Sequence, residues 1–409
     1  MGFEQALSGL TGAAQDLNVI GNNVANASTV GFKESRAQFA DLYAAAQGGS
    51  GANQIGIGTQ MAAIAPQFTQ GNIQTTGNPL DVAINGNGFF REDTNGAISF
   101  SRDGQFSLDA NGFIVNSLGG KVTGYPATAQ GTISNAPPVP IQLSQAPVAP
   151  AATQNVAISV NLNATATPIP AATAFSVANS GSYNSSTSVT VYDSLGTAHT
   201  LSLYFRNTGT NTWDVYASGD GTQVGAGAVS TLTFGTSGTL SASNPALPVN
   251  VNIPVVGAQN PLTFAVNLPT ASTTQYGVPF AVSSNTQDGY TTGQLAGYSI
   301  AKDGTISGRY SNGQTRAMGQ IALAMFANPQ GLVAEGGNQW TESAASGPPV
   351  VGAPGAGTMG VVQSGALEES TVDLTAELVN MITAQRVYQA NAETVKTQDQ
   401  VQQTLMNLR

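Results

Sequence analysis

Residues 2–26 read GFEQALSGLTGAAQDLNVIGNNVAN, and within them Phe3, Leu7, Leu10, Ala14, Leu17, Gly21 and Val24 recur at alternating spacings of four and three. That is the a/d spacing of a helical seam, carried for three heptads. Glu4, Gln5, Gln15, Asp16 and Asn22 occupy the opposite face, and Asn26-Ala27-Ser28-Thr29 before Gly31 reads as a helix exit. A single helix of this length is marginal in water, so the stripe needs a partner.

The other end of the chain repeats the pattern. Residues from about 366 to 408 read as helical, with Thr371 or Asp373 able to cap the start and Glu377 placed where the helix dipole favours an acid. Leu374, Leu378, Met381, Gln385, Tyr388, Ala392 and Val395 keep the same spacing, after which Val401, Leu405 and Leu408 rotate to another face. A strip that turns around its helix predicts contact with more than one neighbour. At ~1.5 Å per residue such a helix spans about 55 Å, longer than any partner within the chain. Glu368 and Glu369 fit the acidic start of that helix.

Between the ends the chain reads as strands and turns. Arg102-Asp103-Gly104-Gln105, Asp109-Ala110-Asn111-Gly112, Asp193-Ser194-Leu195-Gly196, Asp303-Gly304 and Asn312-Gly313 separate short alternating runs such as Gln105–Leu108 and Val189–Tyr192, which is hairpin chemistry. Residues 134–172 are rich in Pro and Ala and mark a boundary. From about 146 to 284 the charged residues are Asp193, Arg206, Asp214 and Asp220, so this block reads as a β domain of its own. The expected division is an N-terminal helix over 1–30, a linker over 31–70, an inner β domain over 71–145 and 285–365, an outer β insert over 146–284, and a C-terminal helix over 366–409. The fold class is mostly β and multidomain, with terminal helices forming a coiled-coil-like polymerisation domain. In the linker, Phe39, Leu42, Tyr43, Ile55 and Ile57 are apolar enough to dock in a polymer, while Gly48, Gly49, Gly51, Gly56 and Gly58 also suit a disordered connection.

Composition narrows the function. Charged residues are 8% of the chain, against about 25% in ordinary proteins, and solubility must come from Ser, Thr, Asn, Gln and backbone. A net charge of −10 without basic clusters argues against nucleic acid. The absence of cysteine removes disulfides and thiolate zinc sites, and suits unfolded export through a narrow channel. The first basic residue is Lys33, so no cleavable signal peptide is expected, nor any membrane insertion.

No catalytic, cofactor or metal site emerges. His199 is the single histidine, which gives no histidine triad and no standard zinc site. Gly355-Ala356-Gly357-Thr358-Met359-Gly360 matches G-x-G-x-x-G, yet it follows Pro348, Pro349 and Pro354 and lacks the strand-to-helix setting that phosphate binding requires. The residues point to a self-assembling structural subunit. An exported adhesin or surface-layer β protein, or a phage tail-tube or fibre component, would share parts of this composition.

Longer motifs separate these readings. Ser8-Gly9-Leu10, Leu17 through Asn26 with Gly21, Asn22, Asn23 and Asn26, and Thr29-Val30-Gly31-Phe32-Lys33 resemble the N-terminal signature of bacterial flagellar rod and hook axial proteins. Gly365 through Leu374, Glu377 through Ile382 and Ala384 through Ala392 resemble the C-terminal signature, with Gly77 through Ile84, Gly88-Phe89-Phe90, Ser101 through Phe106 and Gly124 through Ala127 in between. The resemblance covers roughly residues 1–130 and 285–409. Val24 and Val387 stand where relatives often carry Ile and Asn. The size of the insert and Val189 through Gly196 favour a hook-type member over a distal-rod-type one. The resemblance implies a homopolymer, a curved flexible tube that transmits torque from rod to filament. It also implies export by the flagellar type III apparatus and contacts with the distal rod, hook cap and hook–filament junction.

Overall fold

The computed structural model describes residues 2–42, 56–170 and 172–407. Tyr43, Gly48, Gly49, Gly51, Ile55 and Leu408 lie outside the described residues, as does the side chain of Leu405. The chain forms two compact units, one of residues 1–145, 297–309 and 315–409, the other of residues 146–296 and 310–314. It is mostly β with a helix near each end, as the residue patterns require.

In the first unit, helix α1 spans Gly2–Ala25 and α2 spans Leu374–Asn407. α2 starts later than its sequence suggests, because Ala366–Glu368 forms a strand antiparallel to β3 (Ile73–Thr75, following β1 and β2 below). The helix begins where Asp373 Oδ1 accepts from the N–H groups of Thr375 at 2.9 Å and Ala376 at 3.2 Å, a side-chain N-cap. Thr371 is not the cap; its hydroxyl accepts from Glu34 N at 2.9 Å. Asn23 of α1 meets Glu377 of α2, and Gly9 abuts Asn391, so the helices run antiparallel in steady register. Extrapolated, that register carries the last turns of α2 past the start of α1.

The described part of the expected linker is a β-hairpin. β1 (Ser35–Leu42) pairs antiparallel with β2 (Gly58–Pro66), with a bulge at Gln38/Phe39. It rests on α1, where Ser8 Oγ accepts from Thr59 N at 3.3 Å and a Cβ on Gly12 would lie 3.4 Å from the Phe39 ring. The alternation of half-buried and exposed residues along β1 accounts for the strand.

β4 (Val82–Asn85) pairs with Val361–Ser364. β5 (Phe89–Thr94) and β6 (Ala97–Ser101) enter a large antiparallel sheet, with Lys121–Pro126 beside β5 and Gln339–Thr341 beside β6. Chain segments from before and after the insert thus share one sheet. Neighbouring side chains on β5 point to opposite faces. Phe90 packs edge-on against Phe106 in one core, and Phe89 joins Phe326 and Trp340 in another.

The second unit packs two sheets on one core. Val156, Ile158, Val160 and Leu162 alternate inward from Asn155–Asn163, and Leu201, Leu203 and Phe205 do so from Ala198–Gly209. This unit continues past residue 284 because Ala281–Gln287 is antiparallel to Asn155–Asn163, and Tyr290 and Gly293 bridge to Ala151 and Val148.

Candidate assembly surface

The polar run at the end of α1 is a joint. Asn23 is buried; its Nδ2 donates to Ser35 O at 2.8 Å and its Oδ1 accepts from Ser35 N at 3.0 Å, while Nδ2 also reaches Glu377 Oε2 at 3.4 Å. One amide therefore fastens α1, β1 and α2. Asn26 closes the helix by donating to Asn22 O at 3.0 Å and accepting from Thr29 Oγ1 at 3.1 Å. Gly31 has φ +68°, its N–H donates to Glu368 O at 2.8 Å, and a Cβ there would fall 2.6 Å from the carbonyl carbon of Arg102. Only glycine fits that approach. Phe32 is half-buried and its carbonyl accepts from Thr371 N at 3.2 Å.

Beside this joint sits a buried ion cluster that sequence reading missed. Lys33 Nζ donates to Glu368 Oε1 and to Thr69 O, each at 2.6 Å, and Arg102 Nη1 donates to Glu368 Oε2 at 3.1 Å. Gly71 N completes the carboxylate at 2.7 Å. Burial pulls both cations below their ordinary values, opposed by the Glu368 charge. Glu368 is thus no helix-start acid: it is the anion of a cluster assembled from three distant positions, and no local pattern announces it.

The helical stripes divide in an unexpected way. The face of α1 turned toward α2 is Ala6, Gly9, Ala13, Asp16, Ile20 and Asn23, a heptad repeat one residue out of step with the Leu7–Val24 seam. On α2 the matching repeat is Glu377, Ala384 and Asn391, again one residue before Leu378, Gln385 and Ala392. Small residues let the backbones approach; a Cβ on Gly9 would lie 2.9 Å from the Asn391 amide. Asp16, expected on a polar outer face, lies on this inner one, where burial raises its carboxyl.

The larger apolar residues are left on the outside. Leu7 is 47% exposed and Leu378 45% exposed, and Phe3, Leu374, Tyr388 and Val401 are exposed too. Leu10, Ala14, Leu17, Gly21 and Val24 on α1 are half-covered, as are Met381, Ala392 and Val395 on α2. The expected α2 seam is therefore not one surface: Met381, Ala392 and Val395 are partly covered and Tyr388, one heptad after Met381, shares their side of the helix, whereas Leu374 and Leu378 are open and Val401 lies on a different side. Val379 and Ile382 of α2 are exposed as well, while Val387 borders the groove beside α1. Exposed large apolar residues in this number on the two terminal helices mark a surface built for association.

Other singled-out residues fall elsewhere. The Gly355–Gly360 stretch is a loop closed by Gly355 N donating to Gly360 O at 2.9 Å, between Val350–Gly352 and Val361–Ser364. His199 lies in the strand Ala198–Gly209, within reach of Asp193 and Asp220. Among the described residues, no helix is long and apolar enough to cross a membrane.

Two terminal helices with exposed apolar residues, joined to β units, are the parts of a self-assembling subunit, and comparison with known proteins identifies its class segment by segment. Residues 3–33 match the family model described as "Flagella basal body rod protein", and 363–408 match "Flagellar basal body rod FlgEFG protein C-terminal". Residues 83–184 match "Flagellar hook protein FlgE/F/G D1 domain", and 161–290 match "Flagellar basal body protein FlaE D2 domain". The flagellar hook protein FlgE of Escherichia coli K12 is 45% identical over 414 residues, covering 100% of both chains. That of Treponema pallidum is 33% identical over 468 residues, covering 98% of both. The chain belongs to the flagellar hook protein FlgE family. In fold it is similar to the crystal structure of Helicobacter pylori flagellar hook protein FlgE2, at TM-score 0.54 and 16% identity, covering 72% of this chain and 100% of that one.

Proposed function

We propose that this chain is the repeating subunit of a curved, flexible, hollow hook that transmits torque from rod to filament. The observation that carries this reading is the set of exposed apolar residues Phe3, Leu7, Leu374, Leu378, Tyr388 and Val401 that remains after α1 packs on α2. Its occupant is the same region on neighbouring copies, so that residues 1–30 and 366–409 build the wall nearest the channel. Leu10, Ala14, Leu17, Val24, Met381, Ala392 and Val395 flank those contacts. Residues 31–70 dock between subunits. The unit of residues 146–296 and 310–314 carries few charges, which lets its contacts with neighbouring copies exchange as the tube bends.

The role is structural, with no cofactor. The subunit leaves the cell through the flagellar type III apparatus and works outside it. At the two ends of the tube it meets the distal rod, hook cap and hook–filament junction proteins. The test is assembly: purified full chain, concentrated with salt or seeded with sheared polymer, is viewed by negative-stain electron microscopy. Hollow curved tubes support the reading; a chain that stays monomeric under every seeding condition, or forms straight solid fibres, overturns it.

A further inference from the structure

His199, the single histidine of the chain, sits between two carboxylates of the second unit. Its Nδ1 lies 2.7 Å from Asp220 Oδ2, and its Nε2 lies 3.4 Å from Asp193 Oδ2. The ring is 14% exposed and the Asp193 side chain 2%. Each carboxylate is aimed by the backbone without help from the ring. Asp193 Oδ1 accepts from Leu195 N at 2.9 Å and Thr197 N at 2.8 Å, and Asp220 Oδ1 accepts from Thr200 N at 2.8 Å. Asp193 opens the turn between Ser185–Tyr192 and Ala198–Gly209, while Asp220, at φ +50°, makes the turn after Thr212–Gly219.

This geometry selects a protonation state. A neutral imidazole has one N–H and one bare lone pair, and here both nitrogens face oxygens that can only accept. The neutral ring would satisfy one carboxylate and turn its lone pair on the other. The imidazolium donates to both. Asp193 and Asp220 are the charged groups that meet the ring; the unit's other charges are engaged elsewhere. Arg206 donates to Pro170 O and Thr173 O, Asp214 accepts from Thr231, and Asp288 accepts from Gln154 N and Asn155 N.

We propose that His199 is a charged clamp that ties the Asp193–Gly196 turn to the Asp220 turn, and that losing its proton releases the Asp193 side at alkaline pH. The shorter Asp220 contact keeps the remaining N–H, so the Asp193 turn is the one set free. That turn displays Leu195, 62% exposed, and its Ser194 Oγ accepts from Gln259 N at 3.0 Å, so the clamp sets the position of two surface loops. Burial pushes the imidazole down, but hydrogen bonds and charge from Asp220 and Asp193 outweigh it and hold the ring above its ordinary value. The clamp's stabilisation is therefore complete below the unfolded histidine value of about 6.5 and is lost as pH rises through the folded value.

Because there is one histidine, the full chain labelled with 15N-histidine gives one pair of ring signals. The expected spectrum shows both nitrogens protonated near neutral pH, with a midpoint above about 6.5. In D220N, where Asn keeps an oxygen for Thr200 N and tolerates the positive φ, the midpoint falls by about one unit or more. Hydrogen exchange at Gln259, whose N–H is held by Ser194 Oγ of the clamped turn, should rise above the wild-type midpoint. A wild-type midpoint at or below about 6.5 overturns the clamp without needing any variant. Exchange at Gln259 that ignores the ring titration overturns the release of the turn.

Discussion

Lys33 Nζ lies 2.6 Å from Glu368 Oε1, a contact across 335 positions of sequence in which neither side chain is exposed. Together with Arg102 it fixes the exit of α1 and the strand before α2 to the same β unit. A buried cation pair held by one carboxylate fails hard when the carboxylate is neutralised. E368Q is expected to destabilise the first unit by about 3–5 kcal/mol, read as a lower urea midpoint. Replacing all three charges with apolar residues of similar volume should recover much of that loss. An E368Q midpoint equal to wild type would show that the cluster contributes nothing to folding.

Two glycines of the same N-terminal motif should behave oppositely. Gly31 has a positive φ and Arg102 backbone 2.6 Å from any added Cβ, so G31A should cost about 2 kcal/mol or more. Gly21 is helical with nothing within 4 Å, so G21A should be neutral or stabilising by up to about 1 kcal/mol in the monomer. Thermal melts of the two variants separate these outcomes. If G21A melts normally but fails to polymerise, the bare surface at that position is needed by a neighbouring copy.

Glu92 is wholly buried and accepts from Asn116 Nδ2 at 2.6 Å and from Ser101 Oγ and Gln339 Nε2 at 2.8 Å. Burial pushes its carboxyl up to about 7, against the pull of those three bonds. The unfolded chain loses this proton first as pH rises, so the folded state holds more protons between the ordinary value of 4.5 and about 7. Glu92 therefore makes stability fall with rising pH across that window and adds no slope above it. E92Q should flatten the slope and match or exceed wild type at pH ~8, measured by urea unfolding at several pH values. An unchanged slope would remove Glu92 from the explanation.

The extent of α1 was legible because its apolar spacing and polar exit are local signals. Which of its faces meets α2 was not. The intramolecular heptad of Ala6, Gly9, Ala13, Asp16, Ile20 and Asn23 is small or polar at every position but Ile20, and a search for apolar bulk finds the adjacent positions instead. The start of α2 was obscured because Ala366 and Leu367 suit a helix, and their pairing with β3 is a three-residue ladder from nearly 300 positions away. For the same reason the pair Glu368-Glu369 looked like helix-start acids. Neither Lys33 nor Arg102 carries any local sign of being its partner. The hairpin of β1 and β2 was hidden by the glycine-rich stretch that separates its strands. His199 was placed in a strand, but the carboxylates that give it a role come from turns 6 and 21 positions away.

Assembly of stripe variants bears most directly on the proposal that the outward faces of α1 and α2 hold the polymer together. Burying one leucine contributes about 1.5–3 kcal/mol, and an unpaired carboxylate in its place adds a desolvation cost, repeated in every subunit. L7D and L378D should each abolish tube formation in a seeded pelleting and electron-microscopy assay. Both β units should keep their wild-type urea midpoints, and Q15D should assemble almost normally. Tubes formed by L7D and L378D as readily as by wild type would contradict the assignment of this stripe as the polymerisation surface.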